Sequence, residues 1–512
     1  MISNIKTISL NGIDGNLVEV QTDIAGGLPN IEIVGLPDTS VRESKERIRT
    51  AIKNSGIEFP SRKIIINLAP ASTKKEGTNY DLPIAVGILL ALGEITATNL
   101  ENTIFIGELS LDGKINRING VLPICIEAMN LGIKRVILPK ANEREAAVIN
   151  KLEIIGINNL KEVVDFLNKK IEIKLAHIDV LKEFNRKNRQ DLDFSEVKGQ
   201  ENIKRALEIA AAGGHNCILI GPPGSGKTMI AKRIPTILPD LTFEEALEVT
   251  KIHSISGILD NNIGIVTKRP FRSPHHTISP TSMIGGGKIP KPGEISLAHN
   301  GVLFLDELPE FNRNTLEVLR GSLEDRNVTI SRLYSKVIFP SNFMLIASMN
   351  PCPCGYYGST EKECKCSKLS IEKYLNRISG PLLDRIDLHV EVKPVKYQKL
   401  NSENKVESSQ QIKERVNKAR RIQFLRYKNL NIFSNSELTP KMIEKYCTLN
   451  KECKQILELA FNKLGLSARA YSRILKVART IADLENKENI EKHHLLEAIQ
   501  YRSLDRKYGD KF

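Results

Sequence analysis

The sequence lacks any apolar run long enough to form a membrane-spanning helix. Such a helix needs about 18 consecutive apolar residues, whereas the longest apolar segment of this 512-residue chain covers only residues 82–92. The first residues also lack the basic segment and following apolar segment of a secretory signal. We therefore expect a cytoplasmic protein that has no membrane partner.

Cysteine is scarce as well, with eight residues in the chain. This number does not make a disulfide scaffold in a long protein that we expect to be cytoplasmic. Four of the eight lie in one short segment with the spacing C-x-C-x₉-C-x-C, namely Cys352, Cys354, Cys364 and Cys366. Four thiolates in a glycine-containing loop suit a tetrahedral zinc ion, but the C-x-C pairs are tighter than the usual zinc spacing. The sequence therefore leaves two interpretations, a structural zinc site and four reduced cysteines.

Negative charge is in the minority. The chain has 60 Asp and Glu residues against 74 Lys and Arg residues, which gives a formal net charge of +14. Such an excess favours a polyanionic partner, because each phosphate that is neutralised releases condensed counterions. A host organism with lysine-rich proteins in general would produce the same excess. Composition thus points toward nucleic acid without deciding between the two explanations.

The pattern of apolar residues predicts an α/β protein with three segments and a linker. Residues 1–170 alternate strand-like runs with helical patterns, as in an α+β domain, and the polar residues 171–196 indicate a linker. Residues 197–393 contain the short apolar runs of a parallel sheet covered on both faces, and residues 394–512 have helical periodicity without strand candidates. The individual elements that we predict are strands at 63–69, 103–111, 217–220, 301–305 and 343–348 and helices at 81–92, 411–427, 466–484 and 490–501.

A phosphate-binding loop follows the predicted strand 217–220 and opens a helix. Residues 221–228 match G-x-x-x-x-G-K-[ST] in full; they are Gly221, Pro222, Pro223, Gly224, Ser225, Gly226, Lys227 and Thr228. The glycines let backbone N–H groups turn toward phosphate oxygens, aided by the positive end of the following helix. Lys227 would neutralise the β and γ phosphates of ATP, and the Thr228 hydroxyl would bind Mg²⁺.

An acidic pair follows the predicted strand 301–305. This strand would deliver Asp306 to the metal and Glu307 to the attacking water, where a carboxylate can act as general base. Asn350, after the predicted strand 343–348, is placed to orient that water, although an Asn before a proline also suits a simple turn.

Two arginines are candidates for contact with the γ-phosphate. Arg385 lies between two carboxylates in residues 380–387. It is either part of a local salt bridge or an arginine finger that enters the neighbouring subunit's active site. Arg469 is the second candidate cation.

These motifs together resemble the ComM/YifB family of magnesium-chelatase-like AAA+ proteins. The matching stretches are residues 213–228, 269–277, 292–311, 350–358, 379–392 and 466–485. The resemblance implies an N-terminal domain similar to the Lon protease catalytic domain, a P-loop AAA+ core with a parallel sheet and a C-terminal helical lid. It also implies a homo-hexameric ring and, for ComM-like members, a helicase that promotes branch migration of DNA during natural transformation.

The same resemblance assigns roles to the site residues. Lys227 and Thr228 match Walker A, and Asp306 and Glu307 match Walker B. The remaining matches are Asn350 to sensor 1, Arg385 to the arginine finger and Arg469 to sensor 2. ATP and Mg²⁺ are the implied cofactors.

The N-terminal segment carries a separate resemblance to Lon, in residues 75–83 and 107–139. Lon-type proteolysis needs a serine nucleophile and an activating lysine. Asn79 stands at the nucleophile position and Leu122 at the lysine position. Because an amide does not attack and an alkyl chain does not accept a proton, we expect an inactive protease domain that serves assembly or substrate guidance.

Alternating polar and apolar residues at 321–340 predict a hairpin that could line a ring pore. Arg326, Arg332 and Lys336 would reach DNA phosphates there, or they would lie on a solvated strand face. Two functions therefore remain: a hexameric motor on single-stranded or branched DNA, and a magnesium-chelatase-like ATPase that remodels a protein partner.

Overall fold

The structure is a computed structural model that describes residues 2–185, 192–332, 335–359, 362–394, 406–428, 430 and 432–502. Over these ranges the protein has the predicted α/β organisation, with a mixed first sheet, a parallel second sheet and a helical C-terminal region. No helix in the described ranges combines the length and the apolar character that crossing a bilayer requires.

The first part of the chain is built on a mixed β-sheet. Its strands are β1 (Ile2–Asn11), β2 (Asp14–Ala25), β3 (Asn30–Val34), β4 (Lys63–Ala69), β5 (Thr103–Phe105), β6 (Glu108–Leu109), β7 (Ile115–Asn116), β8 (Arg135–Pro139) and β9 (Glu153–Ile157). The sheet order is β3-β4-β2-β1-β5-β8-β9, and β6 pairs separately with β7. The helices are α1 (Thr39–Asn54), α2 (Asp81–Leu92), α3 (Val121–Asn130), α4 (Glu143–Ala146), α5 (Leu160–Leu167) and α6 (Val180–Asn185).

Two of the predictions for this part are confirmed at their bounds, and one is wrong in part. The strand Lys63–Ala69 and the buried helix Asp81–Leu92 lie where the sequence predicts them. The predicted strand 103–111 is instead divided between β5 and β6. Gly107 separates them because its carbonyl accepts the Leu82 N–H at 3.0 Å rather than a strand neighbour. The predicted linker also contains α6, whose residues Val180 and Phe184 pack on the first part.

The second part contains a parallel sheet with the order β11-β14-β17-β10-β18. The strands of this part are β10 (Cys217–Ile220), β11 (Phe271–Arg272), β12 (Gly285–Gly286), β13 (Lys291–Pro292), β14 (Val302–Leu305), β15 (Asn327–Arg332), β16 (Ser335–Pro340), β17 (Met344–Met349) and β18 (Leu388–Glu391). Its helices are α7 (Glu201–Gly213), α8 (Lys227–Ala231), α9 (Phe243–Ser256), α10 (Pro280–Ile284), α11 (Glu294–Leu297), α12 (Arg313–Asp325), α13 (Lys368–Leu375) and α14 (Gly380–Leu383). Every residue of β10, β14 and β17 is buried, as their continuous apolar sequences predict.

The described residues of the C-terminal part form helices. They are α15 (Ser409–Tyr427), α16 (Pro440–Tyr446), α17 (Lys451–Leu464), α18 (Ala468–Leu484) and α19 (Lys492–Gln500). A capping box starts α15, because the Ser408 hydroxyl and the Gln411 side chain each accept a backbone N–H from the other residue. The apolar face of α18 packs into one core with α7 and β10. Short 3₁₀ turns complete the chain at Lys140–Asn142, Phe194–Glu196, Ile234–Thr236, Leu308–Glu310 and Asn435–Glu437.

The first part also contacts the hairpin formed by β15 and β16. The turn between β1 and β2 brings Gly12 so close that a Cβ there would lie 2.3 Å from Cγ1 of Val337. Gly12 has a φ of 66°, a left-handed conformation that favours glycine. The neighbouring Ile13 packs on the core of the second part. The N-terminal domain therefore packs directly against the hairpin.

Candidate active site

The predicted phosphate-binding loop joins β10 to α8. Gly224 and Gly226 have φ angles of 72° and 84°, which non-glycine residues rarely adopt. Gly221 lies against the end of β18, since a Cβ there would be 2.3 Å from the carbonyl oxygen of Val392. Three glycines are thus required by the conformation or the close packing of the loop.

Lys227 is buried at the centre of this loop. Its Nζ donates hydrogen bonds to the carbonyl oxygens of Gly221 at 2.8 Å and Pro222 at 2.9 Å, and to Oδ1 of Asn350 at 3.2 Å. Burial lowers the pKa of Lys227, while the nearby carboxylates of Asp306 and Glu307 oppose the shift. These three hydrogen-bond acceptors and the more distant Ser225 hydroxyl at 3.5 Å are all uncharged, so an incoming phosphate would supply an anionic hydrogen-bond acceptor for this ammonium.

Thr228 and Asp306 form the second contact of the site. The Thr228 hydroxyl donates to Oδ2 of Asp306 at 2.6 Å, and the Ser348 hydroxyl donates to Oδ1. A hydroxyl beside a carboxylate is an oxygen donor set that suits Mg²⁺. Ser348 was not singled out from the sequence. The register could have found it, because Leu305 pairs with Ala347 and the following residues are Asp306 and Ser348.

Glu307 is exposed and has a φ of 52°. This left-handed conformation is uncommon for a residue with a side chain, and such residues concentrate at functional sites. The Glu307 backbone N–H donates to Oδ1 of Asp306 at 3.1 Å. The turn thus holds one carboxylate inward beside Thr228 and leaves the other exposed to solvent.

A cavity of about 680 Å³ adjoins the loop. It is lined by Glu196, Val197, Lys198, Gln200, Pro222, Pro223, Gly224, Ser225, Gly226, Met229, Ile230, Tyr356, Ser359, Lys362 and Pro394. Its volume is in the range of cofactor pockets. Gln200 closes one side, where its Nε2 donates to the Lys393 carbonyl at 2.9 Å. Sequence reasoning missed Gln200, Tyr356 and Lys362, which carry no motif of their own.

Arg385 lies near the amino ends of the parallel strands, whereas Lys227 of the same chain lies near their carboxyl ends. Strands β10 and β18 are parallel, with Cys217 opposite Leu388 and Ile220 opposite Glu391. The phosphate-binding loop follows Ile220, whereas Arg385 precedes Leu388. The two ends of these strands are three residue spacings of about 3.3 Å apart, or roughly 10 Å, without counting the loops. The structure therefore does not bring Arg385 to its own nucleotide site.

The Arg385 side chain is held by local contacts. It is 5% exposed and forms an ion pair with Glu324, and its Nη1 donates to the Pro381 carbonyl at 2.7 Å. The hydrogen bond from Arg385 lowers the pKa of Glu324. Arg469 lies at the same end of the strands as Arg385. Its Nη1 is 4.0 Å from Oδ2 of Asp384, and its side chain is 57% exposed.

The four clustered cysteines converge. The Sγ atoms of Cys352 and Cys354 are 3.3 Å apart, and those of Cys354 and Cys364 are 3.6 Å apart. All four Sγ atoms, including that of Cys366, lie within 4.8 Å of one another. Burial opposes ionisation of Cys354, but hydrogen bonds from the Tyr356 backbone and from two of the thiols outweigh it and lower the pKa of Cys354 to about 6.

The predicted hairpin exists as β15 and β16, with Ser331 opposite Lys336. Lys336 is exposed, as is Ile338, while Val337 between them is buried. Arg332 ends β15, and its side chain lies outside the described part of the structure. Arg326 directly precedes β15, and its Nη1 is 2.7 Å from Oε2 of Glu437, which joins the base of the hairpin to the C-terminal part.

The structure places the two residues that the sequence analysis aligned with the Lon nucleophile and lysine. Leu122 belongs to α3 and is fully buried in the apolar core. Asn79 donates from Nδ2 to the Ile8 carbonyl at 3.4 Å.

Comparison with known proteins supports this description along the whole chain. The family described as "Magnesium chelatase, subunit ChlI" matches residues 193–400. "Subunit ChlI of Mg-chelatase" matches residues 20–142, and "Magnesium chelatase, subunit ChlI C-terminal" matches residues 406–502. Competence protein ComM from Haemophilus influenzae is 43% identical over 500 residues, which cover 97% of this chain and 96% of that protein. The chain belongs to the ComM/YifB family of magnesium-chelatase-like AAA+ proteins.

Two further relatives extend the comparison. YifB from Escherichia coli is 45% identical over 512 residues, or 99% of this chain and 98% of that protein. Lon protease 2 from Bacillus subtilis is 29% identical over 189 residues, or 33% of this chain and 34% of that protein. Membership of the ComM/YifB family supports ATPase activity with ATP and Mg²⁺, and the partial likeness to Lon agrees with the predicted N-terminal fold.

Proposed function

We propose that this protein is an ATP-driven, ring-forming motor that translocates on or unwinds single-stranded or branched DNA. The observation that carries the ATPase part is the pairing of Lys227 with Asn350 and of Thr228 with Asp306 at the end of a phosphate-binding loop that lines a cavity. The DNA part is supported by the formal net charge of +14 and by the exposed Lys336 on the hairpin. It is also supported by the name of the relative from Haemophilus influenzae, a competence protein.

Each residue of the site has a distinct task in the proposed hydrolysis. Lys227 would release the two loop carbonyls and bind phosphate oxygens, while its contact with Asn350 would orient the amide toward the attacking water. Glu307 would take the proton of that water as general base. Thr228 and Asp306 would hold Mg²⁺, which neutralises phosphate charge when it is bound.

The position of the arginines supports a ring. Neither Arg385 nor Arg469 lies near the carboxyl ends of the strands, where Lys227 is located. If these cations act on the γ-phosphate, a neighbouring copy of the chain has to present them. A closed ring satisfies this requirement for every subunit at once, and we propose the hexamer that the family resemblance implies.

The hairpin supplies the test between DNA and a protein partner. Its exposed face has a cation, Lys336, and an apolar residue, Ile338, which is 48% exposed. A lysine suits phosphates, whereas an exposed isoleucine would suit an unfolded polypeptide. The second candidate function, remodelling of a protein partner, rests on this isoleucine and on the magnesium-chelatase likeness.

The experiment compares two matched variants of the full-length protein. ATP hydrolysis is measured without a partner, with branched DNA, with single-stranded DNA and with a permanently unfolded polypeptide. A DNA motor requires stimulation by DNA that Lys336→Ala reduces and Ile338→Ala leaves intact. Stimulation by the polypeptide alone, lost in Ile338→Ala, would establish the remodelling function instead.

Two further proposals complete the account. The N-terminal domain would have no proteolytic activity, because Asn79 and the buried Leu122 provide neither a nucleophile nor a base. The four cysteines would hold one structural zinc ion. Zinc–sulfur bonds of about 2.3 Å in a tetrahedron put sulfur atoms about 3.8 Å apart, and the thiols already lie 3.3 to 3.7 Å apart in three pairs.

A further inference from the structure

The cysteine cluster is continuous in sequence with the nucleotide site. We call the described residues 352–359 and 362–366 the thiol loop. Asn350, which contacts Lys227, is separated from Cys352 by a single residue. At its other end, Cys366 is followed by α13, and the Tyr374 hydroxyl of that helix interacts with the Asn350 backbone. Both ends of the thiol loop thus lead to the same residue of the nucleotide site.

The middle of the thiol loop rests on the phosphate-binding loop. Gly355 directly follows Cys354 and has a φ of 84°. A Cβ at Gly355 would lie 2.4 Å from Cδ of Pro223, so the Gly355 backbone packs closely against the Pro223 ring. The Gly355 N–H donates to the Cys352 carbonyl at 2.9 Å, which fixes this turn between two of the cysteines. A change in the position of Cys354 would therefore shift the backbone that packs on Pro223.

The thiol loop also contributes two side chains to the nucleotide cavity. Tyr356 and Lys362 line it together with the phosphate-binding loop. Lys362 is exposed, and its Nζ lies 5.1 Å from the centroid of the Tyr356 ring. The pair presents an aromatic face and a positive charge to the cavity, which are the groups that bind a nucleobase or a phosphate.

We propose that the metal ion held by Cys352, Cys354, Cys364 and Cys366 controls the ATP affinity of the adjoining site, through Tyr356 and Lys362 as nucleotide-contacting residues. This inference rests on the proposed ATPase function and adds a regulatory element to the same site. The metal cross-links the thiol loop and thereby fixes the wall of the cavity. Without it the thiols hold one another only by weak hydrogen bonds, and the positions of Tyr356 and Lys362 are no longer fixed.

The first experiment varies the metal in the intact protein. Full-length protein loaded with zinc is titrated with a fluorescent ATP analogue in the presence of Mg²⁺, before and after removal of zinc with a zinc-selective chelator. We expect the affinity to fall at least about tenfold, as for loss of one charged contact with a phosphate, and to return when zinc is added back. An unchanged affinity in protein shown to be free of zinc would overturn the inference.

The second experiment keeps the metal and changes the wall. Lys362→Ala and Tyr356→Ala should each bind one zinc per chain and lose ATP affinity. Lys365→Ala is the matched control, because Lys365 is an exposed lysine of the same loop that does not line the cavity. Equal affinities in Lys362→Ala, Tyr356→Ala and Lys365→Ala would refute a contact with the nucleotide.

These experiments distinguish failure of the proposed ATPase function from failure of the proposed regulation by the metal. If zinc-loaded wild-type protein does not bind the ATP analogue, the proposed ATPase function is wrong. If it binds with the same affinity with and without zinc, the ATPase function stands and the regulatory role is lost. The double variant Cys354→Ser, Cys364→Ser should bind ATP with the affinity of the zinc-free wild-type protein. Cys453→Ala, at a buried cysteine outside the cluster, should bind ATP with the affinity of the zinc-loaded wild-type protein.

Discussion

Replacing Arg385 with alanine tests the geometry of the site most sharply. The sheet register places Arg385 roughly 10 Å or more from the phosphate-binding loop of its own chain, counted along three strand steps. We therefore expect Arg385→Ala to bind ATP with nearly unchanged affinity. Hydrolysis should fall by about 10³ to 10⁵, the range that arginine fingers contribute. Binding of a fluorescent nucleotide and release of phosphate measure the two quantities separately.

The loss of the ion pair with Glu324 should not confuse this result. Glu324 is 54% exposed and stays solvated when its partner is removed, so the substitution leaves no buried charge without a partner. Glu324→Gln is the matched control. It removes the same ion pair, leaves Arg385 in place and should retain hydrolysis.

Mixing two inactive proteins decides whether Arg385 acts across subunits. Arg385→Ala keeps Lys227, and Lys227→Ala keeps Arg385. If the arginine acts on the neighbour's nucleotide, mixed rings contain some complete sites and recover part of the hydrolysis. Rings shown to be mixed that recover no activity would refute the reasoning, as would an Arg385→Ala protein that has lost ATP binding.

The remaining predictions concern the nucleotide, the metal and DNA. Lys227→Ala should abolish nucleotide binding, whereas Glu307→Gln should bind ATP and fail to hydrolyse it; normal turnover by Glu307→Gln would remove the assigned base. Elemental analysis of protein purified without added metal should find one zinc per chain, and a value near zero with four titratable thiols would contradict the zinc site. Replacing Arg332 and Lys336 with alanine should weaken DNA binding and reduce its salt dependence by about one or two phosphate equivalents, with basal ATP hydrolysis preserved as the control.

The parts of the fold predicted correctly from the sequence are those with strong local signals. The apolar run of Asp81–Leu92 and the continuous apolar strands of the second sheet have no alternative that buries them as well. Gly107 shows the limit of such reasoning. It ends a strand inside an apolar run because it packs against Leu82, which is distant in sequence, and against Ile115.

The candidate site likewise has residues that local motifs predict and contacts that depend on distant parts of the chain. Each motif implies a position at the carboxyl ends of the parallel strands for its residues, and the structure brings Lys227, Thr228 and Asp306 close together there. The pairing of Arg326 with Glu437 was not predictable, because it depends on how the C-terminal helices pack against the hairpin. The sequence also did not reveal that Tyr356 and Lys362 line the cavity beside the phosphate-binding loop, because this depends on how residues distant along the chain pack together.

The central claim is that ATP hydrolysis at this site drives movement on DNA. One measurement tests it directly: separation of branched DNA and ATP hydrolysis recorded together, for wild-type protein and for Glu307→Gln. The account predicts that branched DNA accelerates hydrolysis by the wild-type protein, which separates the strands, whereas Glu307→Gln binds DNA and ATP and separates nothing. Wild-type protein that hydrolyses ATP in assembled rings, yet shows no salt-sensitive DNA binding and no strand separation, would contradict the claim.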